Sequence, residues 1–592
     1  MSDDVKHECA VAMVVLRRPP SATGDFGGTK LSLLLEKQHN RGQDGAGAVI
    51  LSENPEPGTQ PYWISKSASA TPLVDVLGML TKRTSFQTGL AGGISLDSQN
   101  PVNPVKKNDE RIFLGHLRYA TFGKNEVAFC HPFVHEASEL EHTLFLAGNF
   151  NLTNAPKLFD DYRRKGEFPT SRADGYLLCE MIAHELAAGT DVSIASAISK
   201  ALANADGAWT LCGATGDGWA FATRDPHGIR PGFYYVNDDV VAVASERPAI
   251  QAAFDVPPEA VKELPPGKAL VVSPSGSVLM VGLSSTIHVN PRPCVFERIY
   301  FSRANDADIH RERKALGAAL VPQILKTADV PMEDIFFSYI PNSARIAFHG
   351  LLEKLFSDVF LTGLSEGTPP NNPVKNLPRF GEIAVKDAKF RTFIADASAR
   401  REFYKHVYDV TYGLVRPGRD TLVVLDDSIV RGNTMKNAIL PMLDRLGPKR
   451  IVVASSAPPI RYPDCYGIDM STLDELVAFR ALVNLLGKDA ETELRTCLPP
   501  VSPLDTCPSS LQSLYARFTD EQHCVEIARL LTPPGMKAEV KVVYQSIDAL
   551  HAACPGSTGD WYFTGDYPTP GGRKVLVKAL ENYLEKKDER SY

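Results

Sequence analysis

The carboxyl-terminal half of this chain is predicted to be an α/β domain on a parallel sheet, and three observations carry that prediction. An apolar run, Leu422–Leu425, reads as a buried strand that ends in two adjacent carboxylates, Asp426 and Asp427. After a loop of small and polar residues, apolar side chains at Ile439, Met442, Leu443 and Leu446 recur at helical spacing and stop at Gly447. The stretch RIVVASSAPP then supplies a second apolar strand and completes a βαβ unit. Open sheets of this kind bind ligands at the carboxyl ends of their strands.

The loop of this unit has a chemistry. Backbone N–H groups in the loop and at the helix N-terminus suit a monophosphate. The carboxylates of Asp426 and Asp427 suit the vicinal hydroxyls of a ribose and a nearby Mg²⁺. Two acids merely solvated at a strand end would show the same local pattern, so spacing alone leaves both readings open.

The bulk of the sequence sets limits. At 592 residues the chain is too long for a single core, and two to four domains are expected. Its 44% apolar and 22% charged residues are those of an ordinary globular protein. A net charge of −7 argues against nucleic acid or an acidic membrane as the main partner. No apolar run reaches the length of a membrane span and MSDDVKHE is acidic, so a cytoplasmic location is expected. Ten dispersed cysteines without a CxxC pair suggest neither a disulfide framework nor a zinc ribbon.

In the amino-terminal half, Cys9 opens the apolar run CAVAMVVL, where a buried structural thiol is the ordinary reading. Leu33–Ile50 reads as a helix, a glycine-rich loop and a strand. GHLRYATFG sets Arg118 at a strand end, AGNFNLTN (Ala147–Asn154) reads as a polar turn, and RADGY sets Asp174 at the start of a helix. Taken singly, Asp174 is an N-cap, Asn149 a turn residue and Arg118 a surface ion pair.

The string DDSIVRGNT resembles the phosphoribosyl diphosphate (PRPP) signature of type I phosphoribosyltransferases, most closely that of the glutamine amidophosphoribosyltransferases. The amino-terminal segments resemble the class II glutamine amidotransferase domain that precedes it in that family. The resemblance implies an α+β and α/β chain: an αββα sandwich of the N-terminal nucleophile (Ntn) hydrolase type over residues 9–290, then a phosphoribosyltransferase domain over 291–497. It also implies a propeptide, 1–8, and an extension, 498–592, that returns to the transferase domain.

Roles follow from the same resemblance. Cys9 becomes the nucleophile, with its own α-amino group as base once Met1–Glu8 is removed. Arg118 grips the glutamine α-carboxylate, Asp174 takes its ammonium, and Asn149 donates to the oxyanion with the backbone N–H of Phe150. PRPP falls to Asp426, Asp427, Ser428, Ile429, Val430, Arg431, Gly432, Asn433 and Thr434, with Asp426 and Asp427 near the metal. In the loop after FFSYIP, Asn342 and Ser343 are diphosphate candidates, a plain β–α turn being the alternative. Loop cations Arg391 and Lys405 are further candidates.

Two departures stand out. Ala10 follows Cys9 where the family has glycine, and Gly148-Asn149-Phe150-Asn151 replaces His-Asn-Gly-Asn. Phenylalanine tolerates positive φ poorly, which puts glutaminase competence in question. Some members hold an iron–sulfur cluster on four cysteines; here those positions read Cys294, Asp464, Gly559 and Tyr562, so none is expected. The resemblance implies purine nucleotides as inhibitors and a homo-oligomer. Two rival readings remain: an ammonia-dependent transferase with impaired glutaminase, and a non-catalytic PRPP- or nucleotide-binding regulator.

Overall fold

The computed structural model describes residues 8–18, 25–53, 60–85, 110–119, 126–189, 192–283, 289–365, 377–386, 408–498, 506–587 and 589–591. Residues from Lys6 to Pro293, with Cys465–Asp469, form one compact unit; Cys294–Asp464 and Met470–Tyr592 make up the body of the other.

Strict alternation of side chains builds the amino-terminal unit. Along the strand Ala10–Leu16, even-numbered residues face one apolar cluster and Val11, Met13 and Val15 face another. The first cluster is closed by helices Phe26–Lys37 and Arg247–Phe254. The second is shared with Phe145, Ala147, Cys212, Ala214 and Ala222 of a second sheet. That sheet's other face is covered by Asp174–Ala187 and Ile194–Ala201. Two sheets, each apolar on both faces, between two helical layers make an αββα sandwich. Among the described residues the sheets have seven and six strands.

The first sheet is antiparallel, and its register brings distant segments to one end. Ala10–Leu16 lies between Glu110–Arg118 and Val240–Ala244, pairing Ala10 with Leu117 and Ala12 with Ala244. Gly45 pairs with Arg118. The start of one strand therefore meets the ends of two neighbours and the start of a third.

The segment Ala147–Asn154 departs from the expected turn. Ala147–Leu152 completes the strand Leu144–Leu152, paired with Gly207–Thr215 over nine positions. Glycine and asparagine made the stretch look like a loop. The cross-strand ladder satisfies its backbone, so tertiary pairing overrides local preference.

In the carboxyl-terminal unit, five strands form a wholly parallel sheet in the order Arg379–Phe380, Ile335–Tyr339, Thr421–Asp426, Arg450–Ser455, Glu539–Tyr544. Leu422 and Val424 face one core, Val423 and Leu425 the other, which is why the run is continuously apolar. Helices Ala307–Ala328 and Arg345–Ser365 cover the second face. The stretch after Leu498, hard to read from sequence, contains helix Asp520–Leu531, started by a Thr519–Gln522 capping box, and the edge strand Glu539–Tyr544. The charged stretch that follows helix Pro570–Glu585 would fray if nothing held it. Instead Ser591 is buried and its hydroxyl donates to Ser471 O (3.2 Å), while Asn582 Nδ2 donates to Glu589 O (3.1 Å). Among the described residues no helix is long and apolar enough to cross a membrane.

The two long helices approach through reciprocal glycines. A Cβ on Gly317 would lie 1.7 Å from Ala347 O, and one on Gly350 would lie 2.0 Å from Lys314 O. Gly317→Ala therefore forces the backbones apart and is expected to destabilise the chain by ~1–3 kcal/mol in urea unfolding. The same change at Gly78, in the helix Pro72–Ser85, where an added Cβ meets nothing within 4 Å, lacks this clash.

Candidate functional site

Cys9 stands just before the strand Ala10–Leu16, at the sheet end where Arg118 closes its own strand. Tyr119 N donates to Cys9 Sγ at 3.3 Å, and the thiol in turn reaches Tyr119 O at 3.6 Å. Burial pushes the thiol up to about 11, while the Tyr119 backbone and the Arg118 guanidinium pull it down. Asp174, at the start of its helix, acts on the same thiol from the acidic side. Burial raises the Asp174 carboxyl to about 6, against the pull of Gly175 N–H (2.9 Å) and the Arg118 charge. Arg118 itself is buried and lies 5.5 Å from the Phe129 ring centroid. The structure thus brings Cys9, Arg118 and Asp174 into one electrostatic neighbourhood.

Asn149 belongs to the strand Leu144–Leu152 and is buried. Its side-chain amide donates to Glu8 Oε2 at 3.3 Å, so it stands beside the residue that precedes Cys9. Phe150 is paired with Trp209 inside the ladder and does not take positive φ, so the strain expected from phenylalanine does not arise. Its ring stacks on His131 (5.6 Å, 24°), and His131 stacks on His116 (3.9 Å, 14°). His116 Nε2 bonds Gly148 O (3.0 Å), and Gly148 N donates to His131 Nδ1 (3.2 Å). Two buried imidazoles therefore hold the residue next to Asn149 by both its backbone groups. Burial keeps both neutral: His116 is lowered to about 3 and His131 well below its ordinary range.

Sequence reasoning missed these histidines, and also a cluster of charges. Glu8 pairs with Arg41 (3.5 Å) and Arg230, and Arg41 pairs with Glu246 at 2.7 Å. All four are buried. Arg230 and Glu246 lie in RDPHGIRP and SERPA, stretches whose turn-like composition gave no hint of this role.

In the carboxyl-terminal unit, Asp426 is the last residue of its strand and Asp427 follows, largely buried. Ser428 Oγ donates to Asp427 Oδ1 at 2.7 Å and Ser343 Oγ donates to Oδ2, so the loop after Ile335–Tyr339 converges on the acid pair. Asp427 N donates to Asp426 Oδ1 at 3.0 Å. Asn342, one residue earlier, is exposed and accepts Arg345 N through its carbonyl (3.3 Å). Ile429 and Val430 are buried, and Val430 O accepts Val477 N at 2.9 Å. Arg431 pairs with Glu475 at 2.8 Å. Its charge thus anchors the loop. Gly432 turns the chain at φ 78°, where an added Cβ would strike Leu531 at 2.2 Å. Asn433 and Thr434 open the following helix. Arg391 and Lys405 lie outside the described residues. Adjacent carboxylates are the hard oxygen donors that Mg²⁺ takes, so the acid pair fits that ion.

The four cluster positions do meet in space. Cys294 bridges Gly559, Cys294 Sγ lies 3.4 Å from the Tyr562 hydroxyl, and Trp561 Nε1 donates to Asp464 at 2.8 Å. Tyr562 is fully buried and accepts Phe296 N at 2.7 Å. One thiol and a phenol ring where thiolates would stand do not fit an iron–sulfur cube.

No protein-family model matches the chain. The amidophosphoribosyltransferase of Bacillus subtilis is 30% identical over 373 residues, spanning 62% of this chain and 69% of that protein. The amidophosphoribosyltransferase of Methanocaldococcus jannaschii is 28% identical over 409 residues, 65% of this chain and 79% of that one. Among solved structures, the glutamine PRPP amidotransferase from B. subtilis complexed with ADP and GMP superposes with a TM-score of 0.63 at 23% identity, covering 97% of this chain and all of that one. A structure described as the allosteric regulatory enzyme of purine biosynthesis scores 0.64 at 23% identity, over 97% and 99%. These structures establish the likeness of fold.

The buried histidine pair has a measurable signature. Between about pH 6.5 and 3 the unfolded chain protonates His116 while the folded chain does not, so protons favour unfolding; His131 acts in the same direction. Each histidine should lower the unfolding free energy by ~1.4 kcal/mol per pH unit as pH falls through that window. His116→Gln should flatten the slope in denaturant melts.

Proposed function

The chain belongs to the amidophosphoribosyltransferase family, and from that membership we propose that it converts PRPP, glutamine and water to 5-phosphoribosylamine, glutamate and diphosphate, the first committed step of de novo purine synthesis. The observation that carries the transferase half is the Asp426–Asp427 pair at the end of a central parallel strand, with Ser343 and Ser428 hydroxyls on Asp427 and a loop turned by Gly432 after it.

In the glutaminase reaction Cys9 attacks the glutamine side-chain amide. A thiol held up near 11 is a poor nucleophile at neutral pH, so a base is needed. Removal of Met1–Glu8 supplies one, the Cys9 α-amine, which titrates near pH 8. Asn149 Nδ2 and the Phe150 N–H receive the developing oxyanion. Arg118 takes the α-carboxylate and Asp174 the α-ammonium, fixing the amide over sulfur.

At the transferase site Asp426 and Asp427 hold the ribose hydroxyls and steady the positive charge that grows on the ring as diphosphate leaves C1. Backbone donors from Ser428 to Thr434 hold the 5-phosphate and so fix orientation, the larger source of rate when ammonia is the nucleophile. Mg²⁺ on the acid pair would neutralise the leaving diphosphate. Ser343 and Asn342 complete the diphosphate side. Inhibition by purine nucleotides, a homo-oligomeric state and a cytoplasmic location belong to the same reading; a structural neighbour is described in complex with ADP and GMP.

Diphosphate release from PRPP, measured in parallel with glutamine and with ammonium, tests the reading. Purified protein should turn over in both arms; Cys9→Ala should lose the glutamine arm only, and Asp427→Asn should lose both. Turnover in neither arm by the unaltered chain would refute it in favour of a binding regulator. Asp174 adds a pH dependence: its carboxyl gains a proton as pH falls through about 6 and loses the charge that holds the glutamine ammonium. The KM for glutamine should then rise up to ~10-fold per pH unit below that point, with the ammonium arm unaffected by this titration.

A further inference from the structure

The nucleophile and the oxyanion donor of the proposed glutaminase stand on different sheets. Cys9 lies just before a strand of the seven-stranded sheet, and Asn149 is within the six-stranded one. Apolar side chains fill the space between, and apolar attraction has no direction. A reacting pair has to be held to within about 0.5 Å, which calls for a directional tie between the sheets. His116 supplies it. His116 pairs with Val11 in the ladder beside Cys9, while its Nε2 donates to Gly148 O of the other sheet at 3.0 Å. Among the described residues the pairing of Leu144–Leu152 with Phe133–His135 stops at Leu146, so Gly148 has no strand on that side. Its N–H is taken instead by His131 Nδ1 at 3.2 Å, and the two rings stack at 3.9 Å. A carbonyl needs a protonated nitrogen and an N–H needs a bare one, so the backbone fixes the tautomer of each neutral ring. Gly148 leaves the rings their room, since a Cβ there would meet Leu211 at 2.4 Å and Thr210 O at 2.9 Å. Phe150 closes the assembly. Its ring stacks on His131 and stands 2.9 Å from where a Cβ on Gly175 would lie, and Gly175 N donates to the Asp174 carboxylate at 2.9 Å.

We propose that His116 and His131 are positioning residues of the glutaminase: a stacked imidazole clamp that sets Asn149 against Cys9 through the backbone of Gly148, with Phe150 joining that clamp to the Asp174 pocket. The inference rests on the glutaminase reading above. The clamp acts on the residue next to the oxyanion donor, and the oxyanion exists only as the amide is attacked. Its loss therefore lowers turnover and leaves the hold of Arg118 and Asp174 on glutamine in place. Phe150 touches both sides, so its ring bears on turnover and on binding. Phenylalanine at this position is then a working part of the site, where glycine is the usual residue of the family.

Glutamate release from glutamine in the presence of PRPP tests this, with ammonium-driven diphosphate release read on the same samples of full chain. His131→Leu removes the acceptor and the stack, and should lower kcat for glutamine at least about tenfold, equivalent to ~1.4 kcal/mol in the barrier. Its KM for glutamine should change by less than about twofold. His131→Gln keeps an acceptor for Gly148 N–H but no ring to stack, and should fall between, a partial rescue that loss of packing alone would not give. Should the leucine chain fail to fold, the glutamine variant carries the test by the same split of kcat from KM. Phe150→Gly installs the family's residue, and should lower kcat and raise KM together. Unaltered kcat in His131→Leu overturns the proposal, as does a rise in its KM without loss of kcat, or a Phe150→Gly chain as active as the unaltered one. Each of these leaves the glutaminase reading standing. An unaltered chain that turns over ammonium but releases no glutamate refutes that reading, and the clamp's role with it.

Discussion

A guanidinium buried without acceptors is costly, and of the arginines that the amino-terminal unit buries, Arg41 and Arg230 are paired with buried carboxylates. That constraint recruits Glu8 and Glu246 from distant parts of the chain. The antiparallel sheet makes the recruitment possible. Glu8 precedes one strand, Glu246 follows its neighbour, and Arg41 precedes a third, so all reach the same sheet end. Cys9 and Arg118 reach it for the same reason. Breaking one of these pairs would leave an uncompensated charge in the interior, at a cost of about 3–5 kcal/mol. The charge cluster and Cys9 thus share one scaffold.

Neutral polar groups hold the other wall of that site. Gly148 has no side chain, and its backbone is gripped on both sides by imidazoles that burial keeps uncharged. Phe150 takes part through its ring, which stacks on His131, packs over Gly175 and leaves its backbone in the ladder. A departure from the family's usual residue is therefore accommodated by aromatic packing, without strain at the backbone.

The carboxyl-terminal unit solves a different problem. Its central strands are buried on both faces, so polar groups can stand only at their ends, and Asp426 and Asp427 stand there. Serines from two loops satisfy Asp427, and Glu475 holds Arg431. Beside Cys294, the rings of Tyr562 and Trp561 are buried with their polar atoms bonded to protein. Such packing stabilises the segment through buried aromatic area and satisfied polar atoms.

Sequence alone determined what depends on local pattern: the doubly buried strand Thr421–Asp426, its strand-end acids, the loop and helix after them, and the likeness that named Cys9, Arg118, Asp174 and Asn149. These were legible because periodicity and short motifs act over a few residues. Tertiary structure alone decided that Ala147–Leu152 is a strand, that Phe150 stacks on His131, and that Glu8, Arg41, Arg230 and Glu246 form one buried cluster. Each of those outcomes depends on partners far away in the chain. The energy that fixes them, pairing of backbone groups and of buried charges, is realised only once the sheets have brought those partners into contact.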